Sequence, residues 1–300
     1  MGRTIEVTGL TKHFGTTVAL DGLSFTVRPG VVTGFLGPNG SGKTTTLRCL
    51  LGLVEPTRGT ATIDGQRYRD LADPVRTVGA ALEASSFHPG RTARAHLQVM
   101  ALAAGVPTDR VDALLHQVGL AEAAGRRVGG FSLGMRQRLA LAQALLGDPD
   151  VLLLDEPANG LDPAGIAWLR GFLRALAADG RTVLVSSHVL SEVEQTVDDV
   201  VVIARGRRVH QGALADLEAG PARVRVRTPA PEVLRATLAD TLPEVTVEDL
   251  PGDALRVVGA PAAAVGHAAH VAGVELHELA TEPSDLEQLF LDMTREGIPA

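Results

Sequence analysis

Residues 31–45 read Val31-Val32-Thr33-Gly34-Phe35-Leu36-Gly37-Pro38-Asn39-Gly40-Ser41-Gly42-Lys43-Thr44-Thr45, and this stretch decides the fold. The first six residues are a short apolar run of the kind that fills a buried strand. Gly37 to Thr44 satisfies G-x-x-x-x-G-K-[ST], and the spacing of Leu47, Leu50 and Leu51 predicts a helix directly behind it. Strand, glycine-rich loop and helix together make a phosphate cradle. Its glycines let successive backbone N–H groups turn inward, and the helix adds its positive N-terminal end. Gly37, Pro38, Asn39, Gly40, Ser41, Gly42 and Thr45 form the cradle, Lys43 reaches the β- and γ-phosphates, and the Thr44 hydroxyl is placed for Mg²⁺. Lys12 and Lys43 are the two lysines among 28 basic residues. Arginine supplies nearly all other positive charge, so lysine is kept where a compact point charge is needed.

Outward from the loop, Val151-Leu152-Leu153-Leu154-Asp155-Glu156 is a second buried strand, ending in two carboxylates. That places charge at the carboxyl edge of a sheet, where open α/β folds bind ligands. Asp155 would hold Mg²⁺ through water and Glu156 would polarise the attacking water. Thr182–Val185 is a third apolar run, followed by polar residues and a helix, and Ala93–Ala104 and Arg110–Val118 read as helices. Strands of continuous apolar character alternating with helices predict a mostly parallel sheet covered on both faces. Thr4–Val7 alternates like an edge strand, and Leu23–Val27 reads as another strand.

After Gly220-Pro221 the pattern changes. Strands at 224–228, 245–250, 254–258 and 274–279 and helices at 232–239 and 262–270 give the order β-α-β-β-α-β, a ferredoxin-like α/β domain. Ser284 and Glu287 are spaced as a capping box for a terminal helix. The expected organisation is a domain over 1–220, with a helical subdomain near 84–140, and an accessory domain over 221–300.

Composition limits the function. The 300 residues are 45% hydrophobic and 21% charged, as in ordinary globular proteins, and the net charge of -7 argues against a nucleic-acid partner. The single Cys49 excludes an internal disulfide and reads, like Trp168, as packing. The N-terminus has no apolar signal core, and Ala260–Leu276, the longest weakly polar run, carries Gly266, His267, His270 and Gly273. A soluble chain is expected. The histidines form no HExxH grouping, and those outside the motifs read as surface or packing residues.

Three further features narrow the class: Phe131-Ser132-Leu133-Gly134-Met135-Arg136-Gln137-Arg138 upstream of Asp155, Asn159-Gly160-Leu161-Asp162 after Glu156, and Ser186-Ser187-His188 closing the next strand. In this order the chain resembles the nucleotide-binding subunit of an ABC transporter over roughly residues 1–220. The resemblance implies an α/β P-loop NTPase fold with an antiparallel edge subdomain and a helical subdomain. It implies that Phe14 stacks on adenine, that Ser132 and Gly134 contact the γ-phosphate held by a second subunit, and that Asp162 couples the two sites. His188 matches the switch histidine that reaches the γ-phosphate. The signature usually has Gly where this chain has Leu133 and Gln where it has Met135. Ser132 still reads as a helix N-cap, which preserves the anion site physically.

Glu83 stands where the family places glutamine. A carboxylate remains a good oxygen ligand for Mg²⁺ but donates no hydrogen bond. Glu83, the Ser-Leu-Gly-Met signature, the Phe87-His88-Pro89 texture and the C-terminal extension resemble the subfamily that exports drugs, bacitracin-like peptides or lantibiotics. The resemblance implies ATP hydrolysis with Mg²⁺, a separate transmembrane permease, a second nucleotide-binding subunit (identical or paralogous), and a cytoplasmic place on the inner face of the membrane. The alternative is a non-transport ABC ATPase of the repair or translation-factor type. Repair ATPases place long coiled coils between loop and signature, and translation factors carry two nucleotide-binding domains, whereas this chain has neither.

Overall fold

The structure is a computed structural model and describes residues 2–82, 87–189, 194–218 and 222–282. The described residues fall into two compact units, divided between Leu214 and Ala215. The first contains β1 (Ile5–Phe14), β2 (Thr17–Val27), β3 (Val32–Leu36), α1 (Lys43–Leu50), β4 (Arg58–Ile63), α2 (Pro74–Thr77), β5 (Val78–Ala81), α3 (Ala93–Ala103), α4 (Arg110–Gln117), α5 (Leu133–Ala144), β6 (Val151–Asp155), α6 (Pro163–Ala178), β7 (Thr182–Ser187), β8 (Asp199–Ala204) and β9 (Arg207–Ala213). A short helix, α7 (Leu214–Glu218), spans the division.

The main sheet has the order β5-β6-β7-β3-β8-β9. Its first five strands are parallel, and β9 runs antiparallel to β8. Every residue of β3 and β7 is buried, as is β6 up to Leu154, which is why these segments read as unbroken apolar runs. Phe35, Leu153, Leu184 and Val201 on one face of this sheet join a core shared with Ile5, Leu10, Leu23 and Phe25 of the antiparallel sheet. The packing of α3 and α4 against α5 forms the helical subdomain, with Leu97, Leu114, Leu115 and Leu139 fully or almost fully buried.

One sequence expectation changes here, and two features carry no strand signal in the sequence. Thr4–Val7 is not an edge strand: β1 continues to Phe14 and lies in the middle of a three-stranded sheet, β2-β1-β4. Its register shifts between Val7 and Leu10, around Gly9 with φ of 57°, and this bulge interrupts the alternation that would have marked a long strand. Its outer neighbour β4 escaped notice because Arg58-Gly59-Thr60-Ala61-Thr62 carries little apolar signal. The β8–β9 hairpin was likewise not anticipated, and β9 is a polar sheet edge. The helix expected after Val185 falls partly on residues 190–193, which lie outside the described residues.

The second unit has β10 (Arg223–Arg227), α8 (Pro231–Thr241), β11 (Thr246–Leu250), β12 (Ala254–Val258), α9 (Ala262–Val271) and β13 (Glu278–Glu282). Its antiparallel sheet has the order β11-β12-β10-β13, so β10 and β11 flank the oppositely directed β12 in the split β-α-β manner expected of a ferredoxin-like domain. Val224, Val226, Leu234, Leu238, Leu255, Val257 and Val265 form its core. The last strand begins at Glu278 rather than Val274, because Val274 and Leu276 fill the core beyond α9 before pairing begins. Ser284 and Glu287 lie outside the described residues.

Candidate active site

Gly37 to Thr44 leaves the carboxyl end of β3 and turns into α1. Gly40 at φ 80° and Gly42 at φ 108° take left-handed conformations that an ordinary side chain would strain. The Ser41 N–H donates to the Pro38 carbonyl at 3.1 Å, and the Gly206 N–H donates to the Ser41 carbonyl at 2.9 Å, which fixes the loop from inside and outside. Pro38, Asn39 and Gly40 are exposed at its tip, whereas Ser41 and Gly42 are buried and Thr45 half-buried. A Cβ on Gly37 would collide with the Ile203 carbonyl, a backbone atom that cannot rotate away. Gly37→Ala is therefore expected to cost roughly 1–3 kcal/mol, read as a lowered thermal midpoint; an unchanged midpoint would show that the loop has room to shift.

Lys43 is 7% exposed. Its Nζ donates to the Gly37 carbonyl at 2.6 Å and the Pro38 carbonyl at 3.4 Å, and lies 3.6 Å from Glu156 Oε1. Burial pulls its pKa below the usual lysine range, while the carboxylates of Glu156 and Asp155 oppose that shift. Thr44 Oγ1 donates to Asp155 Oδ2 at 2.7 Å, and the Ser186 hydroxyl donates to Asp155 Oδ1. A hydroxyl and a carboxylate side by side are the hard oxygen donors that Mg²⁺ takes. Among the described residues, no group of three or more His, Cys, Asp or Glu makes a metal cage. An ion held by one or two carboxylates together with substrate phosphates needs no such cage. Glu83, the third expected ligand, lies outside the described residues.

Glu156 follows the end of β6 with φ of 49°. Its carboxylate accepts from His188 Nδ1 at 2.9 Å, and since a carboxylate only accepts, it fixes the imidazole proton on Nδ1. Its backbone N–H donates to Ser186 Oγ at 3.0 Å. The carboxyl ends of β3, β6 and β7 thus bring Lys43, Thr44, Asp155, Glu156 and His188 into one cluster. Ser186 was not anticipated as a functional residue. It sits one strand from Asp155 in register and holds both acidic residues, and its signal was a hydroxyl at the end of an otherwise apolar run.

The other expected residues are elsewhere. Ser132 caps α5, its Oγ accepting from Met135 N–H at 3.2 Å, as its sequence position predicted. Asp162 caps α6 by accepting from Gly165 N–H at 2.8 Å. A Cβ on Gly134 would lie 3.2 Å from Leu161 Cδ2, so the first turn of α5 packs on the segment leading to Asp162. Phe14 closes β1, 51% exposed, with Lys12 Nζ 4.8 Å from its ring centroid. Cys49 is buried and its thiol is pushed up to about 11, chiefly by burial, which makes it unreactive. Trp168 stacks on Phe172 and carries the Arg138 guanidinium 4.1 Å from its ring centroid, a packing role.

The ABC transporter sequence profile matches residues 20–159. The bacitracin transport ATP-binding protein BcrA of Bacillus licheniformis is 42% identical over 214 residues, which cover 70% of each chain. The Nod factor export ATP-binding protein I of Paraburkholderia xenovorans (strain LB400) is 38% identical over 300 residues, covering 97% of this chain and 96% of that one. The chain belongs to the ABC transporter ATP-binding family. Among solved structures, an ATP-binding subunit of an ABC transporter superposes with a TM-score of 0.64 at 30% identity, covering 72% of this chain and 92% of that one. A bacterial Atm1-family ABC exporter with ATP bound gives 0.65 at 26% identity, covering 73% and 40%. As an ABC transporter ATP-binding subunit, the chain binds ATP and hydrolyses it. A second profile, described only as a domain of unknown function, matches residues 222–287 of this ABC subunit.

Proposed function

We propose that the chain is the ATP-driven motor of an exporter for drug- or peptide-like compounds. It works as two such subunits closed head to tail on a separate membrane-spanning permease. The observation that carries the motor reading is the cluster at the strand ends: Lys43 beside Glu156, Thr44 on Asp155, and His188 on Glu156. The export reading draws on the relatives named for bacitracin transport and Nod factor export. Among the described residues no helix is long and apolar enough to cross a membrane, so this reading assigns the translocation path to another polypeptide and places this subunit on the inner face.

In this reading the Gly37–Thr44 backbone and Lys43 hold the phosphates, with Phe14 against the adenine ring. Thr44, Asp155 and Glu83 would hold Mg²⁺, which when bound offsets the β- and γ-phosphate charge. Glu156 accepts the proton of the attacking water, and His188, which orients that carboxylate through Nδ1–H, would contact the γ-phosphate as a donor only with a second proton on Nε2. Ser132 and Gly134 present the amino end of α5 to the nucleotide of the partner subunit, which stabilises charge only when two subunits close. Asp162 links the two sites.

Hydrolysis should therefore rise faster than linearly with protein concentration until dimers saturate. Ser132→Arg should bind ATP without turnover, and so should fail alone. Mixed with Lys43→Ala chains it should recover activity, because the mixed dimer holds one intact composite site. Specific activity that stays constant at dilutions where light scattering detects only monomer would remove the shared site.

A further inference from the structure

The backbone just after the acidic strand end is gripped from α5, and that grip has no part in the reading above. Glu156 is a non-glycine residue at positive φ, a conformation that persists only where its surroundings over-determine it. Its N–H is held by Ser186 Oγ at 3.0 Å. Its carbonyl accepts from Asn159 N–H at 3.2 Å, closing a turn, and also faces Gln137 Nε2 at 3.4 Å. The same Nε2 faces the Asn159 carbonyl at 3.4 Å. Gln137 is 9% exposed, a buried polar side chain whose single nitrogen offers two N–H donors to the two carbonyls that frame the turn. One helical turn before it on α5, Leu133 packs against Gly160, where a Cβ would collide with it. The segment from Glu156 to Leu161 is therefore seated on the first two turns of α5.

We propose that Gln137 is a positioning residue for hydrolysis: its amide spans the Glu156 and Asn159 carbonyls and holds the left-handed Glu156 backbone so that the carboxylate stays between Lys43 and His188. This rests on the reading of Glu156 as the proton acceptor. Only a primary amide at this position matches both carbonyls without bringing a charge into the turn. An aliphatic side chain of equal length fills the volume and leaves two acceptors facing it; a carboxylate adds lone pairs against theirs. Because Gln137 and the Ser132 cap belong to one helix, any displacement of that helix reaches the Glu156 backbone through this amide.

The test uses the purified full-length chain, steady-state ATP hydrolysis and equilibrium binding of a fluorescent ATP analogue. Gln137→Leu should lower kcat by about 10- to 100-fold, the scale of a misplaced reacting group. KM and analogue affinity should stay within about twofold, since no ground-state contact to ATP is lost. Gln137→Glu at pH 8 should be slower than Gln137→Leu. In a Glu156→Gln background, Gln137→Leu should cost nothing further. Full kcat in Gln137→Leu alongside an inactive Glu156→Gln would overturn the positioning role and leave the Glu156 reading standing. A parallel loss of analogue affinity in both Gln137 variants would also overturn it, showing a residue that merely supports the fold. Wild-type turnover in Glu156→Gln would instead remove the reading on which it rests.

Discussion

ATP hydrolysis by Glu156→Gln is expected to fall by about 10²-fold or more while ATP binding is retained. The substitution keeps the side-chain shape and keeps an oxygen to accept from His188 Nδ1, now 2.9 Å from the carboxylate. It removes the negative charge and the capacity to take a proton from water. Nothing in the Gly37–Thr44 cradle is altered, so affinity should hold or rise, since Lys43 loses the carboxylate 3.6 Å away that competes for it. Phosphate release and equilibrium ATP binding on the same preparation separate the two effects. Hydrolysis near the wild-type rate would take Glu156 out of its assigned role. ATP-bound dimers should accumulate in this variant, because the closed state is not discharged.

Lys43 should be as intolerant of arginine as of alanine. Its ammonium sits among the Gly37 and Pro38 carbonyls at 2.6 and 3.4 Å, almost sealed from solvent. A planar guanidinium needs more width than those loop carbonyls leave. Lys43→Ala removes charge-assisted hydrogen bonds to phosphate worth about 1.5–3 kcal/mol each. ATP affinity should therefore fall by about 10²-fold, with little restored in Lys43→Arg. Calorimetric titration with ATP measures it. Wild-type affinity in the arginine variant would mean that the scarcity of lysine elsewhere in the chain says nothing about position 43.

Much of this site is legible in the sequence, and the reason is physical. The phosphate cradle is local: Gly37 to Thr44 carries its own turn chemistry, and the strand before it and the helix after it are announced by apolar spacing. Asp155 and Glu156 were legible for the same reason, as charge ending a buried run. Ser186 and Gln137 lie within the motifs yet carry no local sign of a role, because their partners lie across β-strand register or in a turn far along the chain. Local pattern does not encode such partners. The antiparallel sheet was the least legible part of the fold. Its strands are half-polar and bulged at Gly9, so neither period 2 nor an apolar run marks their full length. In the second unit, Val274 and Leu276 carried strand-like alternation but serve the core next to α9, where alternation and core filling look alike.

The order β5-β6-β7-β3-β8-β9 has a consequence for synthesis of the protein. Strand β3 leaves the ribosome early, but its two neighbours are β7 and β8, encoded far downstream. Until residues beyond Ser187 have emerged, Val32, Phe35 and Leu36 have no sheet partner, and the cradle that β3 supports lacks the Ser187 carbonyl that receives the Gly37 N–H. Non-local parallel pairing of this kind is slow and leaves apolar strands open in the interim. Nascent chains stalled before β7 should therefore be held by chaperones and should not be retained on immobilised ATP, whereas chains released past β9 should acquire nucleotide binding in a single step.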